Sequence, residues 1–264
     1  MLELFFLGSG SRGNALVIGW GGQRLLIDCG FSGRELTRRA ERLGLSLDSV
    51  AAVLITHEHR DHVCGLAGLA ARAGLAVYTT ERTGRALYWG RRPRAERLGV
   101  VPGRPFRVGP FEVSAFASSH DARDPVGYVL GLPDGSRLGL ATDLGTPTPQ
   151  AVEALRGCEW LALEANHDPA MLRDGPYPWV LKQRIRSERG HLSNGQSADL
   201  LERVAGDRLR HVFALHLSQT NNTPALARAT LVERLARLGA AAGLTVLEQD
   251  SPLRHPAAAQ LSLW

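Results

Sequence analysis

The segment Thr56-His57-Glu58-His59-Arg60-Asp61-His62 constrains this chain more than any other, because it places three histidines and an aspartate within six residues directly after the apolar run Ala51–Ile55. An uninterrupted apolar run of that length reads as a buried strand, so the histidines are delivered to a strand end. A loop has no structural need for three imidazoles that repel one another when protonated. Bound to a divalent cation they are held neutral, and their clustering becomes binding energy. The spacing asks for more than one ion. His57 and His59 can turn the same way, whereas Asp61 and His62, entering a helix, point to a neighbouring position. Each group then lacks donors. Three candidates close apolar strands further along: His120 after Ala115–Ser119, Asp143 after Leu138–Thr142, and His216 after His211–Leu215.

Around this segment the pattern alternates in a regular way. Leu2–Leu7, Ala15–Ile18 and Arg24–Asp28 read as a β-meander broken by glycine turns. A helix over Gly33–Leu43 follows, then the histidine-bearing strand, an amphipathic helix from Asp61 through Ala70, and a strand at Ala76–Tyr78. A second meander, Phe111–Phe116, Gly127–Leu130 and Arg137–Leu140, opens the second half. It leads into helices at Pro149–Leu155, Trp179–Arg186, Ser197–Val204 and Pro224–Leu238, with strands at Trp160–Leu163, His211–His216 and Leu244–Leu247. The halves repeat one scheme. Two mixed sheets packed face to face with helices on the outer faces, an αββα sandwich of the α/β class, satisfies both. No stretch rich in Pro, Ser or Gly separates domains, so residues 1–264 are expected to form one.

The full pattern, His-x-His-x-Asp-His followed by a lone His, an Asp and a final His, resembles the metallo-β-lactamase superfamily over nearly the whole chain. The resemblance implies two divalent cations, zinc or manganese. His57, His59 and His120 match the ligands of one, Asp61, His62 and His216 those of the other, and Asp143 the bridge between them. Asp28, in Leu26-Ile27-Asp28-Cys29-Gly30, matches an aspartate that orients the site. Antibiotic-hydrolysing members carry another residue at the bridging position, which disfavours a true β-lactamase. Gly8-Ser9-Gly10-Ser11-Arg12-Gly13-Asn14, Glu164-Ala165-Asn166-His167-Asp168, Gly190-His191-Leu192-Ser193-Asn194 and His216-Leu217-Ser218-Gln219-Thr220-Asn221-Asn222 resemble motifs of the YycJ/WalJ branch of DNA exonucleases. That branch implies 5′-to-3′ removal of nucleotides, with a hydroxide shared by two cations about 3.5–4 Å apart attacking phosphorus. His191 or His167 would protonate the leaving sugar oxygen.

Charge and composition agree with a nucleic-acid substrate without requiring it. The net charge is +5, and Lys182 is the only lysine, so the cationic charge is nearly all arginine. Arginine forks bind phosphate oxygens in pairs. Two arginine-rich segments carry aromatic residues: 82–107 with Tyr88 and Trp89, and 173–189 with Tyr177 and Trp179. Arg91, Arg92, Arg184 and Arg186 are the expected phosphate contacts, with Asn14 from the opening loop. The three widely spaced cysteines, Cys29, Cys64 and Cys158, make no disulfide framework and fit a reducing cytoplasm. No apolar stretch is long enough to span a membrane. DNA is expected over RNA, because the 23 residues from His120 to Asp143 and the 73 from Asp143 to His216 leave no room for the inserts of many RNA-cleaving relatives. The rival readings are a small-molecule hydrolase acting on a thioester, lactone or cyclic phosphodiester, and a non-catalytic nucleic-acid-binding or signalling accessory protein.

Overall fold

The computed structural model of the chain describes residues 1–256. The first sheet takes β1 (Leu2–Gly8), β2 (Ala15–Trp20), β3 (Gln23–Ile27), β4 (Val50–Leu54), β5 (Ala76–Thr79) and β6 (Glu96–Gly99) in sequence order. The second takes β7 (Phe106–Val108), β8 (Phe111–Ala117), β9 (Val126–Gly131), β10 (Arg137–Ala141), β11 (Trp160–Glu164), β12 (His211–Leu215) and β13 (Gly243–Val246). A last strand, β14 (Leu253–His255), returns to the first sheet beside β1 and brings each sheet to seven strands. In both sheets an antiparallel meander gives way to three parallel pairings, β3 to β6 and β10 to β13. The expected repetition of one scheme is therefore present strand by strand.

Layering follows from which faces are apolar. β1 alternates Leu2, Leu4 and Phe6 toward the other sheet with Phe5 and Leu7 toward the helices, so both of its faces are buried. One apolar cluster lies between the sheets, where Phe6 and Phe213 rings sit 4.8 Å apart. The outer clusters are covered by helices. α1 (Gly33–Arg42), α2 (Arg60–Val63), α3 (Leu66–Leu69) and α4 (Glu81–Ala86) belong to the first half. In the second half, α5 (Pro149–Leu155), α6 (Pro169–Asp174), α7 (Trp179–Arg186), α8 (Asn194–Val204) and α9 (Pro224–Arg237) follow the same plan. α8 begins on a capping box in which Ser193 and Gln196 satisfy each other's backbone amides. Among the described residues no helix is long and apolar enough to cross a membrane.

Three local expectations change. The single amphipathic helix from Asp61 is two one-turn helices, α2 and α3, separated at Gly65, whose amide bonds to the Cys29 carbonyl at 2.8 Å. Glu96–Gly99 is a strand although three of its four residues are exposed, because it pairs along β5 as an edge. β14 also escaped the sequence reading; its three residues are held by pairing with β1.

The sheets are clamped to each other just behind the histidine loop. Tyr128 on β9 is fully buried, and its hydroxyl donates to the Ile55 carbonyl at 2.7 Å, while the Val126 amide donates to the Thr56 carbonyl at 3.0 Å. Tyr128→Phe leaves the carbonyl without that donor and should lower the unfolding free energy by about 1–2 kcal/mol in a denaturant titration. An unchanged midpoint would show that the clamp contributes nothing.

Candidate metal centre

The site lies where the carboxyl ends of the parallel strands of both sheets meet. β3 is followed by Asp28 and β4 by Thr56 and His57, while in the other sheet β10, β11 and β12 run side by side and end at Asp143, Glu164 and His216. His120 follows β8. Asp28, Asp143 and His216 all have positive φ, 57°, 52° and 55°, and they are the only non-glycine residues described with it. Such backbone costs about 1–3 kcal/mol per residue and persists only where surroundings hold it.

The structure brings all seven expected ligand residues together. His57, His59 and His120 form one group, Asp61, His62 and His216 a second, and Asp143 joins His57 and His62, with the ligand atoms of each group within 4.8 Å of one another. His120 Nε2 lies 3.3 Å from His59 Nδ1, and Asp61 Oδ2 lies 3.5 Å from His216 Nε2. Asp143 sits between the groups, with Oδ2 3.1 Å from His62 Nε2 and Oδ1 3.8 Å from His120 Nε2.

Most of the imidazoles are turned the same way. His62 Nδ1 is 2.7 Å from Asp28, His216 Nδ1 is 3.1 Å from Glu164, and His120 Nδ1 is 3.0 Å from the Gly190 carbonyl. His57 Nδ1 faces the Thr56 hydroxyl at 3.0 Å. The outer nitrogen of each of these rings is thereby occupied and its Nε2 is turned to the centre, the orientation that metal-ligating histidines require; His62 Nε2 there lies 3.1 Å from both Asn14 Nδ2 and Asp143 Oδ2. His57 Nε2 is buried with no hydrogen-bond partner, which is what a waiting ligand atom looks like in the protein alone. Burial holds His57 and His120 below the usual histidine range, with their lone pairs free. Burial opposes protonation at His62 and His216 too. There it is outweighed by the carboxylates: Asp143, Asp28 and Asp61 raise His62 well above its usual value, and Asp143, Asp61 and Glu164 push His216 up to about 10. The carboxylates thus demand positive charge in the pocket, and a divalent cation meets that demand by displacing protons. Donor set, orientation and charge all fit divalent metal.

Asp28 lies against the His62 ring. Its other oxygen accepts the Thr56 amide at 2.8 Å, so one carboxylate fixes both the His62 ring and the loop that carries it. Glu164 was quoted in the sequence only within a motif. It is fully buried, and Oε1 is bonded to both His191 Nδ1 at 2.7 Å and His216 Nδ1 at 3.1 Å. Despite burial, those two histidines lower its pKa to about 2. Its position at the end of an apolar strand, like Asp143, was the available signal.

The remaining expected residues divide. His191 is half-buried and faces Asp143 Oδ1 at 3.5 Å; burial would lower its pKa, and the Glu164 carboxylate overrides this and raises it. His167 is buried and kept neutral, its pKa lowered to about 4 by desolvation. Asn14 is buried as well. Its side chain accepts from the Gly10 amide at 2.8 Å and donates to the Gly10 carbonyl at 3.0 Å, and its backbone amide bonds the Asp61 carbonyl at 2.8 Å. Gly30 completes this junction, since an added Cβ would fall on the Asp61 carbonyl. Arg184 lines the cleft that opens onto His120 and His191, paired with Asp121 at 2.5 Å. Arg186 is exposed on the same helix. Arg91 and Arg92 lie instead in the exposed stretch after α4, where the neighbouring Trp89 is held by the Gly84 carbonyl and Arg97.

With this geometry in hand, comparison with known proteins is specific. The β-lactamase superfamily domain matches residues 23–216. The chain is 34% identical to an exodeoxyribonuclease YycJ of Bacillus anthracis, over 97% of each chain. It is also 34% identical to an exodeoxyribonuclease WalJ of Streptococcus pneumoniae, over 93% of this chain and 92% of that one. In three dimensions it resembles the metallo-β-lactamase fold protein YhfI of Bacillus subtilis, with a TM-score of 0.69 at 12% identity over 96% and 98% of the chains.

Glu164→Gln keeps the volume and removes the charge that holds two histidine tautomers. Zinc or manganese affinity, measured by calorimetric titration, should fall roughly 10- to 100-fold. The melting-temperature rise at a fixed metal concentration should shrink with it. Equal affinity in the variant would mean that Glu164 does not orient ligands.

Proposed function

The chain belongs to the metallo-β-lactamase superfamily of metal-dependent hydrolases, and from that premise we propose that it is a two-metal phosphodiesterase that removes nucleotides from DNA, 5′ to 3′. The observation that carries the reading is Asp143, one buried carboxylate placed between two complete ligand groups. We assign His57, His59 and His120 to one cation, Asp61, His62 and His216 to the other, and Asp143 to both. The shared cluster between the sheets supports reading the described residues, 1–256, as one domain; the last eight of the expected 1–264 lie outside them. Divalent cations held by these residues would supply activation of water and neutralisation of phosphate charge.

The chain's own residues supply orientation and protons. Asp28 and Glu164 hold the ligand rings rigid, so little reorganisation is needed as charge develops. His191, backed by Glu164 and facing the cleft, is the general acid in this reading; His167 is too deeply buried and too weakly basic to hold a proton near neutral pH. For Asn14 the contacts support a role in fixing the histidine loop rather than in touching phosphate. DNA is favoured over small esters or lactones by the names of the relatives matched over nearly their whole length and by Arg184 on the cleft wall, with Arg186 exposed on the same helix.

Purified protein loaded with manganese or zinc should release labelled mononucleotide from 5′-labelled DNA at the first turnover. Asp143→Ala should reduce the rate about 100-fold or more. His191→Gln should lower kcat by roughly 10²–10⁴ with DNA affinity retained. RNA, thioester, lactone and cyclic-nucleotide arms run in parallel; turnover of one of these alone would replace the DNA reading.

A further inference from the structure

α7 is unlike the other long helices. None of its residues is buried, and it begins with two large apolar side chains turned to solvent, Trp179 at 70% and Val180 at 79% exposure. Its other side is committed. Leu181 and Ile185, four residues apart on the helix, and Tyr177, two residues before it, line the cleft shared with His120, His191 and Arg184. With so little burial, α7 is placed by polar ties. Lys182 Nζ donates to the Arg173 carbonyl at 2.7 Å, Arg184 pairs with Asp121, and the His191 amide donates to the Ile185 carbonyl at 2.9 Å. Two of these ties lead straight to the centre, through His191 and through the residue after His120. The helix therefore stands as a wall at a set distance from the reacting atoms. Lys182, Arg184, Arg186 and Arg189 face a single acid, Glu188, across residues 179–189, so the wall suits a polyanion.

We propose that α7 parts the last base pair of duplex DNA, an inference that rests on the phosphodiesterase reading above. An enzyme that takes single nucleotides from a duplex end must unpair that end, and apolar side chains inserted beside a base step are an established way to do so. Tyr177 lies inside the cleft, where its ring can receive the base of the nucleotide being removed. Trp179 and Val180, exposed at the start of the helix that follows, meet the base left behind on the other strand. The arginines hold the backbones on either side. The division of labour is legible in exposure: the ring that stacks on the departing base is half-buried, and the wedge is bare.

The test is the Trp179→Ser/Val180→Ser variant. Since Trp179 and Val180 both face solvent, the variant's melting temperature should match wild type. Mononucleotide release is measured from a blunt duplex and from the same strand alone, and the duplex-to-single-strand ratio should fall about tenfold, the scale of one lost stacking contact. Tyr177→Leu should lower both rates and leave the ratio near wild type. A second readout needs no turnover: a duplex with 2-aminopurine in its terminal pair and phosphorothioate linkages that resist cleavage should brighten on binding wild type and stay dim with the double variant. An unchanged ratio with equal brightening overturns the wedge while leaving the nuclease intact. No release by wild type from either DNA overturns the phosphodiesterase reading, and the wedge with it.

Discussion

Asp28, Asp143 and His216 stand on backbone that side chains normally avoid, and much of the site is arranged to keep them there. Each comes directly after a strand, at the point where the chain must leave the sheet and aim a side chain back across the gap between sheets. The left-handed turn does both at once, and nearby hydrogen bonds hold it. Asp28 gains the Thr56 amide and hydroxyl and the His62 ring. The His216 amide is bonded to Ser9 Oγ at 2.8 Å, and its carbonyl accepts from Asn166 Nδ2 at 2.9 Å. Strain of this kind is tolerable only in a rigid frame, which the two parallel triplets and the Tyr128 clamp provide.

The same frame explains why polar residues crowd a dry place. Buried carboxylates and imidazoles would be mutually destabilising if arranged at random, since each isolated charge pays for its lost water. Here each carboxylate is matched: Asp28 to His62, Glu164 to His191 and His216, Asp143 to His62 and His216. The matching settles which nitrogen of each ring points inward. The glycine- and serine-rich opening loop belongs to this scheme as a splint. Ser9 reaches His216 in one half of the fold, and Asn14 reaches Asp61 in the other, so a segment that reads as a phosphate-binding loop serves to register the two ligand groups against each other.

Much of this was legible in the sequence, and for an identifiable reason. The histidines and aspartates gathered at this centre sit at or near the ends of apolar strands, and a strand end is visible as the place where an apolar run stops at a polar residue; His57, His120, Asp143 and His216 all show it. Glu164 shows it too, but a lone glutamate after an apolar run carries no chemistry of its own until the strands on either side are known to end in Asp143 and His216. Parallel neighbours are non-local, and one sequence does not display them. β6 and β14 were hidden likewise, since short edge strands owe their shape to a partner rather than to their own pattern. Gly65 was hidden by a contact, the Cys29 carbonyl that halts the helix after His62.

Composition is weakest where it looked most suggestive. Segments 82–107 and 173–189 both interleave arginine with aromatic rings, and nothing local separates them. In the first, Trp89 donates its indole proton to the Gly84 carbonyl and lies under the Arg97 guanidinium, so ring and arginine satisfy each other within the fold. In the second, Trp179 is bare, Tyr177 opens onto the cleft beside His120 and His191, and Arg184 is held by Asp121, the residue after His120. A cation and a ring that are already paired have little left to offer a ligand, whereas an exposed ring such as Trp179 has most of its surface available. What distinguishes a binding surface from a structural one is therefore the state of its partners, a property of the folded chain that residue counts do not contain.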